Sequence, residues 1–457
     1  MRIKNKDQLI ANGVTSQTRK ARAIALRTLE QTLSAVDAGK LLKSKVTLKG
    51  KQLQAGTHSF DLNHFRNVYV VGGGKAAAPM AVALEKILGK TITEGYVNVP
   101  HGDQTKTQII KLHGASHPIP DHDGVKGTQN MMEIARKADE DDFVIVLLSG
   151  GGSSLMPLPR GSVTLEDKRE LTEKLLKCGA AIAEINTLRK HLSSFKGGWL
   201  AKKACPATVL NLIISDVVGD PLEAIASGPT VPDPTTFADA REILERYGLW
   251  ETAPPSVQML IADGERGLAQ DTPKPGDECF NKVHSVVLGN CRSAAIAAVE
   301  YLKSQGLNTM LLTSSLEGEA RTAGTLLSSI AAEIASSSNP APKPAAVVAS
   351  GETVVTVKGK GKGGRNQELA LAAALKMQGI DGAVVASLST DGVDGPTDAA
   401  GAIVDGETVE RAKRLGLDLE RFLADNDSYG FFSRLGDLIV TGPTGTNVND
   451  ISLIVLL

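Results

Sequence analysis

Cysteine is scarce in this chain. Cys178, Cys205, Cys279 and Cys291 stand far apart with no Cys-x-x-Cys pair, which argues against a disulfide framework and a thiolate zinc site. Aromatic residues reach only 4%, too few for the stacking platforms of base-binding modules. A net charge of −1 offers no basic field to a polyanion, so no nucleic-acid partner is expected. No apolar run reaches spanning length, and no membrane partner is expected. The amino end is basic and polar with no apolar stretch behind it, unlike a secretory signal, and the expectation is a cytoplasmic enzyme. Two nucleotide signatures are missing as well. Gly89-Lys90-Thr91 lacks the upstream glycine of a P-loop, since Leu84 stands there, and neither His-Arg-Asp nor Asp-Phe-Gly of the protein kinases occurs.

What is abundant is glycine, 46 residues in a chain of 457, set between short apolar runs. The length exceeds one ordinary core, so two domains are expected. After a helix over Thr15 to Ala38 and a Lys-rich connector, apolar runs at Asn67–Val71, Tyr96–Val99, Gln108–Leu112, Phe143–Leu148 and Thr208–Ile214 read as strands. Helical stretches separate them, among them one long helix from Ala180 to Ala201. Phe143–Leu148 has no alternation, as befits a strand covered on both faces. A Pro-rich, acidic stretch over 232–277 with one helix near Ala238–Tyr247 suggests a boundary, giving domains 1–280 and 281–457. A second alternation follows, with strands at Ser285–Leu288, Thr309–Thr313, Ala346–Ala349, Val354–Val357, Ala383–Leu388, Leu438–Val440 and Ile451–Leu456. The fold class expected is α/β twice over, both sheets largely parallel.

Open parallel sheets receive ligands beyond the carboxyl ends of their strands, and the informative turns fall there. Gly72-Gly73-Gly74-Lys75-Ala76-Ala77 fits a dinucleotide fingerprint, yet the acid expected about 20 residues on could only be Glu94, which precedes its strand. A lysine within the turn suits phosphate better than ribose; a tight packing turn is the plainer account. Ser149-Gly150-Gly151-Gly152-Ser153-Ser154 offers amides and hydroxyls as an anion nest, or is a flexible turn. Asp216 and Asp220 end another strand, where carboxylates hold a cation or, more commonly, cap a helix. Gly363-Gly364-Arg365-Asn366-Gln367-Glu368 joins close backbone approach to a guanidinium fork, with a helix amino end behind it. In Ser389-Thr390-Asp391-Gly392-Val393-Asp394, Asp391 is best placed for chemistry, and Asp394 and Asp398 shape the turn. The helix bearing Asn186, Arg189, Lys190 and His191 reads as a carboxylate holder or as a solvated face. His113, His117 and His122 have no carboxylate at helical metal-ligand spacing and read as structural or solvent histidines.

Nine motifs in order carry a family resemblance. They are Val71–Ala76, Leu148–Ser154, Ile185–Ser193, Ile214–Asp220, Ile225–Thr230, Ser350–Thr353, Gly363–Glu368, Thr390–Gly395 and Gly442–Asp450. Together they resemble the glycerate 2-kinases that pair an N-terminal nucleotide-fold domain of Rossmann-like, three-layer type with a smaller C-terminal MOFRL domain. The resemblance implies phosphoryl transfer from ATP to the 2-hydroxyl of D-glycerate with Mg²⁺ or another divalent cation. It implies Lys75 and Arg365 as catalytic cations and Asp391 as their acidic partner. Gly73, Gly74, Ser149, Gly150, Gly151, Gly152, Ser153, Arg189, Asp216, Glu352 and Asn366 become nucleotide- or substrate-binding candidates, with Asp216 and Asp391 as metal candidates. The reading has Lys75 and Arg365, from opposite domains, flank the transferring group, and it allows a homodimer. Relatives labelled hydroxypyruvate reductases keep an NAD(P)H-dependent alternative open.

Overall fold

Asp142–Leu148 is buried at every position and lies inside a six-stranded sheet, as its unbroken apolar run requires. In this computed structural model, which describes residues 2–457, that sheet belongs to a unit spanning Ala38–Leu288. Asn67–Gly73 pairs in parallel with Glu94–Pro100 on one side and with Asp142–Leu148 on the other. Ile110–Ala115, Thr208–Ile214 and Val283–Gly289 complete the sheet. Numbered along the chain, the strands lie in the order 3-2-1-4-5-6. Tyr69, Val71, Val144, Val146, Leu148, Val209 and Ile213 share one face, packed on Met131, Ile134, Leu200 and Ala204 of two helices. The residues between them, such as Val70, Ile145 and Leu210, turn to the other face and are equally buried, so both faces are covered.

The second unit joins Gly289–Leu457 to the residues up to Asp37. This corrects the expected boundaries of 1–280 and 281–457 at both ends. Val283–Gly289 closes the first sheet rather than opening a new one. Leu26, Leu29 and Leu33 of the helix Ser16–Ala35 pack on Val348, Val384, Ala386 and Leu453 of the second sheet. The opposite face of that sheet, with Val347, Val385 and Ile454, packs on Leu327 and Ala331 of Ala320–Ser337 and on Leu369 and Ala373 of Arg365–Met377.

The α/β class holds in both units, but the second sheet is mixed rather than largely parallel. Asn308–Leu316 runs parallel to Ala345–Gly351, whereas Asp450–Leu456 lies antiparallel to both Ala345–Gly351 and Ala383–Ser389. Ala383–Ser389 and Gly401–Asp405 also pair antiparallel, which their short connection permits without a crossover helix. The strand expected at Val354–Val357 does not form; Val354 makes a single bridge to Glu319. The connector after the first helices is in part a three-stranded antiparallel meander, Val46–Lys49, Gln52–Ala55 and His58–Asp61. The acidic, Pro-rich stretch holds a second helix, Pro255–Glu265, besides Phe237–Arg246. The long helix expected from Ala180 to Ala201 is two, Ile182–His191 and Trp199–Ala204. Ser193 Oγ accepts from the amides of Phe195 and Lys196, and Gly197 and Gly198 take left-handed φ of 57° and 85°, which together break the helical ladder.

Candidate active site

In an order of 3-2-1-4-5-6 the connections diverge between Asn67–Gly73 and Asp142–Leu148, and a crevice opens beyond the carboxyl ends of those two strands. Both leading glycine turns leave from this point. The Lys75 amide donates to Gly150 O (2.8 Å), the Ala76 amide to Ser149 Oγ (3.0 Å) and the Gly74 amide to Asn98 O (3.2 Å). Ser149 is thus buried and clamps the two turns together. Gly74 has φ of 147°, and a Cβ there would lie 2.1 Å from Ser149 Oγ. Gly74→Ala is therefore expected to destabilise this unit by about 1–3 kcal/mol, measured as a lowered urea midpoint, and to lower turnover.

Gly151 is left-handed at φ 80°, and Gly152–Leu155 forms a single helical turn behind it. The N–H groups of Gly150, Gly151 and Ser153 have no acceptor among the described residues, which keeps the nest open to an anion. A Cβ on Gly151 would meet His117 Cδ2 at 2.8 Å and Lys75 Cγ at 3.4 Å, so this glycine lets both side chains close over the turn. His117 thus lies beside the nest, a place that its spacing in the sequence does not reveal. His113 hydrogen-bonds Tyr96 Oη (3.1 Å), as a structural histidine does, whereas His122 is an exposed histidine that meets Glu166 at the surface. His101, Asp121 and Asp123 come close enough to share a cation, but Asp121 also caps its helix through the Gly124 amide.

Ser153 Oγ lies 2.8 Å from Ser227 Oγ, which donates to Asn186 Oδ1 (3.3 Å); Arg189 Nη1 donates to the same oxygen (3.3 Å). Ala226 and Ser227 both hold positive φ while buried, at 50° and 59°, a strained pair set against the nest: a Cβ on Gly152 would meet Ala226 Cβ at 2.8 Å. The helix Ile182–His191 is not a solvated face. Lys190 is buried and pairs with Asp233, and His191 is buried between Thr187 O and Asp271 Oδ1 (both 2.9 Å). Burial alone would raise the Asp271 carboxyl, but the hydrogen bond and charge of His191, with Lys274, hold it well below the usual range. Asp216 follows Thr208–Ile214 at the next strand end and is partly exposed.

In the second unit, Arg365 opens the helix Arg365–Met377. Its Nε and Nη2 donate to the two oxygens of Asp450 (2.6 and 3.0 Å), and Nη1 donates to Glu352 (2.5 Å). Three of the five guanidinium N–H groups are spent and two remain, on a side chain 28% exposed. Burial lowers the guanidinium, but Asp450, Glu352 and Asp394 raise it further, so it stays a cation. Burial raises the Asp450 carboxyl to about 7, reinforced by Asp394 and opposed by Arg365.

The helix amino end expected to help hold an anion is already occupied. Asp394 accepts from the amides of Asn366 (3.1 Å) and Gln367 (2.9 Å), and from both side chains as well. Asn366 is buried with its other end taken by Ser387, which puts it behind the site rather than on it. Asp394 shapes the turn, as read. Asp391 Oδ1 accepts from Ser389 Oγ (2.8 Å) and the Val393 amide (3.0 Å), which fixes the carboxylate at the strand end. Upstream of Gly363, the amides of Lys358, Gly359, Lys360 and Lys362 bond to the side chains of Asp425, Asn426 and Asp427.

Glu94, the acid a dinucleotide site would want, pairs in register with Tyr69 at the start of its strand, far from Gly73 at the glycine end. It is engaged by Lys137 (2.7 Å).

Residues 24–262 match the family described as a domain of unknown function, DUF4147, and residues 345–450 match the MOFRL family. The chain is 43% identical to a glycerate 2-kinase of Pyrococcus horikoshii over 95% of its length and 97% of that protein. It is 46% identical to a D-glycerate 2-kinase of Thermotoga maritima over 84% of its length and 89% of that protein. The crystal structure of the Thermotoga maritima glycerate kinase superposes with a TM-score of 0.83 at 42% identity, covering 95% of this chain and 99% of that one.

Proposed function

Because the chain belongs to the glycerate 2-kinase family, built from DUF4147 and MOFRL domains, we propose that its two glycine turns supply the cations of a phosphoryl transfer, Lys75 and Arg365. The enzyme is a glycerate 2-kinase: it moves the terminal phosphoryl group of ATP to the 2-hydroxyl of D-glycerate, releasing ADP and 2-phosphoglycerate. Such a transfer asks the protein for alignment and charge neutralisation rather than covalent chemistry. The observation that carries the site assignment is the Arg365 guanidinium, locked by Asp450 and Glu352 yet left with two N–H groups to offer. Lys75 is its counterpart at the switch point of the other sheet, beside the amides of Gly150, Gly151 and Ser153. Gly73, Gly74 and Gly152 let the backbone close on that nest, and Ser149 holds it together.

Asp391 orients the glycerate hydroxyl or accepts its proton. Asp391 and Asp216 are carboxylates at strand ends, the hard oxygen donors that Mg²⁺ takes, and either suits a divalent cation that would neutralise ATP phosphate charge. A cytoplasmic setting agrees with this chemistry, and no helix among the described residues is long and apolar enough to cross a membrane.

Phosphorus NMR of a reaction with ATP, Mg²⁺ and D-glycerate tests the reaction itself. The expected product resonance is that of 2-phosphoglycerate, with no loss of NADH when hydroxypyruvate replaces glycerate. A 3-phosphoglycerate product, or NADH consumption without ADP release, would overturn it.

A further inference from the structure

Three basic side chains gather behind the Ser149–Ser154 turn without an acid among them. Lys168 Nζ donates to Pro157 O (3.0 Å) and Lys196 Nζ to Met156 O, two consecutive carbonyls one residue past the turn. Arg189 reaches the same region through Asn186, Ser227 and Ser153. Lys196 is 1% exposed and Lys168 9%, whereas Arg189 keeps part of its surface open. Among the described residues no carboxylate pairs with any of the three. Nearby acids are committed elsewhere: Asp167, next to Lys168, accepts from the Thr164 amide and Ser256 Oγ, Asp233 pairs with Lys190 and Asp271 with His191.

Buried basic groups without counter-charge are costly, and a fold keeps them where something anionic completes the set. Burial and mutual repulsion pull Lys168 down to about 7 and Lys196 well below its usual range. Burial thus disfavours the charged form of both lysines where they rest against their carbonyls, and an arriving anion favours it. Water would serve as well if the two lysines were exposed; they are not.

We propose that Arg189, backed by Lys168 and Lys196, forms the subsite for the carboxylate of the three-carbon acid substrate. This rests on the kinase reading. The carboxylate is the one charge on glycerate that the reaction leaves untouched, so a fixed cationic seat can hold it from ground state to product. Lys75 and Arg365 are left for the phosphates. Arg189 touches the substrate; Lys168 and Lys196 position the turn and tune the field from behind.

The full-length enzyme tests this through steady-state kinetics of Arg189→Met and Lys168→Met against D-glycerate, against ATP, and against methyl D-glycerate, which lacks the charge. Expected are a KM for D-glycerate raised about tenfold or more, a KM for ATP within twofold of wild type, and a fall of about tenfold or more in the preference for D-glycerate over its methyl ester. Arg189→Lys should recover part of that preference. Lys168→Met changes a buried amine to an apolar side chain of similar length, and its melting curve confirms the fold. An unchanged preference in both variants, or a rise confined to the KM for ATP, would overturn the carboxylate assignment while leaving the kinase reading intact. Absence of ADP release by wild-type enzyme with D-glycerate would instead sink the kinase reading.

Discussion

Lys75→Ala and Arg365→Ala are each expected to lower kcat by about a hundredfold or more, as losing a preorganised donor to developing charge does elsewhere. Lys75 sits in a turn whose backbone is fixed by Gly150 O and Ser149 Oγ, so removing its amine leaves the turn in place. A fall in kcat with an unaltered melting curve would mark a transition-state interaction rather than a folding defect. Arg365 is a harder case, because Asp450 loses a bidentate partner inside the protein. That carboxyl is already raised to about 7 by burial, and it protonates in the variant instead of standing as a bare charge. Arg365→Lys separates the effects: it retains a cation but not the planar fork, and should stay well below wild-type turnover. If Lys75→Ala and Arg365→Ala both keep near-normal turnover, the cation assignment fails.

Arg22→Met is expected to cost about 3–5 kcal/mol in the second unit. Arg22 is fully buried on the helix Ser16–Ala35. Its Nε meets Asp405 at 2.5 Å, Nη1 meets Asp437 at 3.0 Å and Leu9 O at 2.8 Å, and Nη2 meets Asp437 at 3.2 Å. Asp437 keeps Arg411 and Asn12 in the variant, but Asp405 is left beside its own loop amide and Thr408. Adding Asp405→Asn to Arg22→Met should therefore restore part of the loss. Urea unfolding of the single and double variants reads both numbers, and a double variant no more stable than the single one would place the cost elsewhere, in lost packing.

The two glycine turns and the strands that feed them were legible because each is a local statement: an apolar run, then residues that tolerate unusual backbone angles. The nine ordered motifs did the rest. Charges in the interior were not legible in the same way. Arg22 and Lys168 each stand on the apolar stripe of an amphipathic helix, the first with Leu26, Leu29 and Leu33, the second with Leu165, Leu171 and Leu175. A basic residue at an apolar position was the available signal. Lys196 carried no signal at all, since it lies in a helix break made by Ser193 and two left-handed glycines. The mixed second sheet escaped for a different reason. Buried strands look alike whichever way their neighbours run, and only the return of Asp450–Leu456 between two earlier strands sets the direction.

In the chain, the unit Ala38–Leu288 interrupts the other as a long insertion, with the helix Ser16–Ala35 before it and the sheet that helix covers after it. During synthesis the inserted unit can finish its core while its host is still incomplete. Leu26, Leu29 and Leu33 then wait, uncovered, for strands encoded more than three hundred residues later, the last of them Asp450–Leu456. A ribosome that stalls after the first sheet would leave a finished insert carrying a greasy, unpaired leader, a natural client for a chaperone.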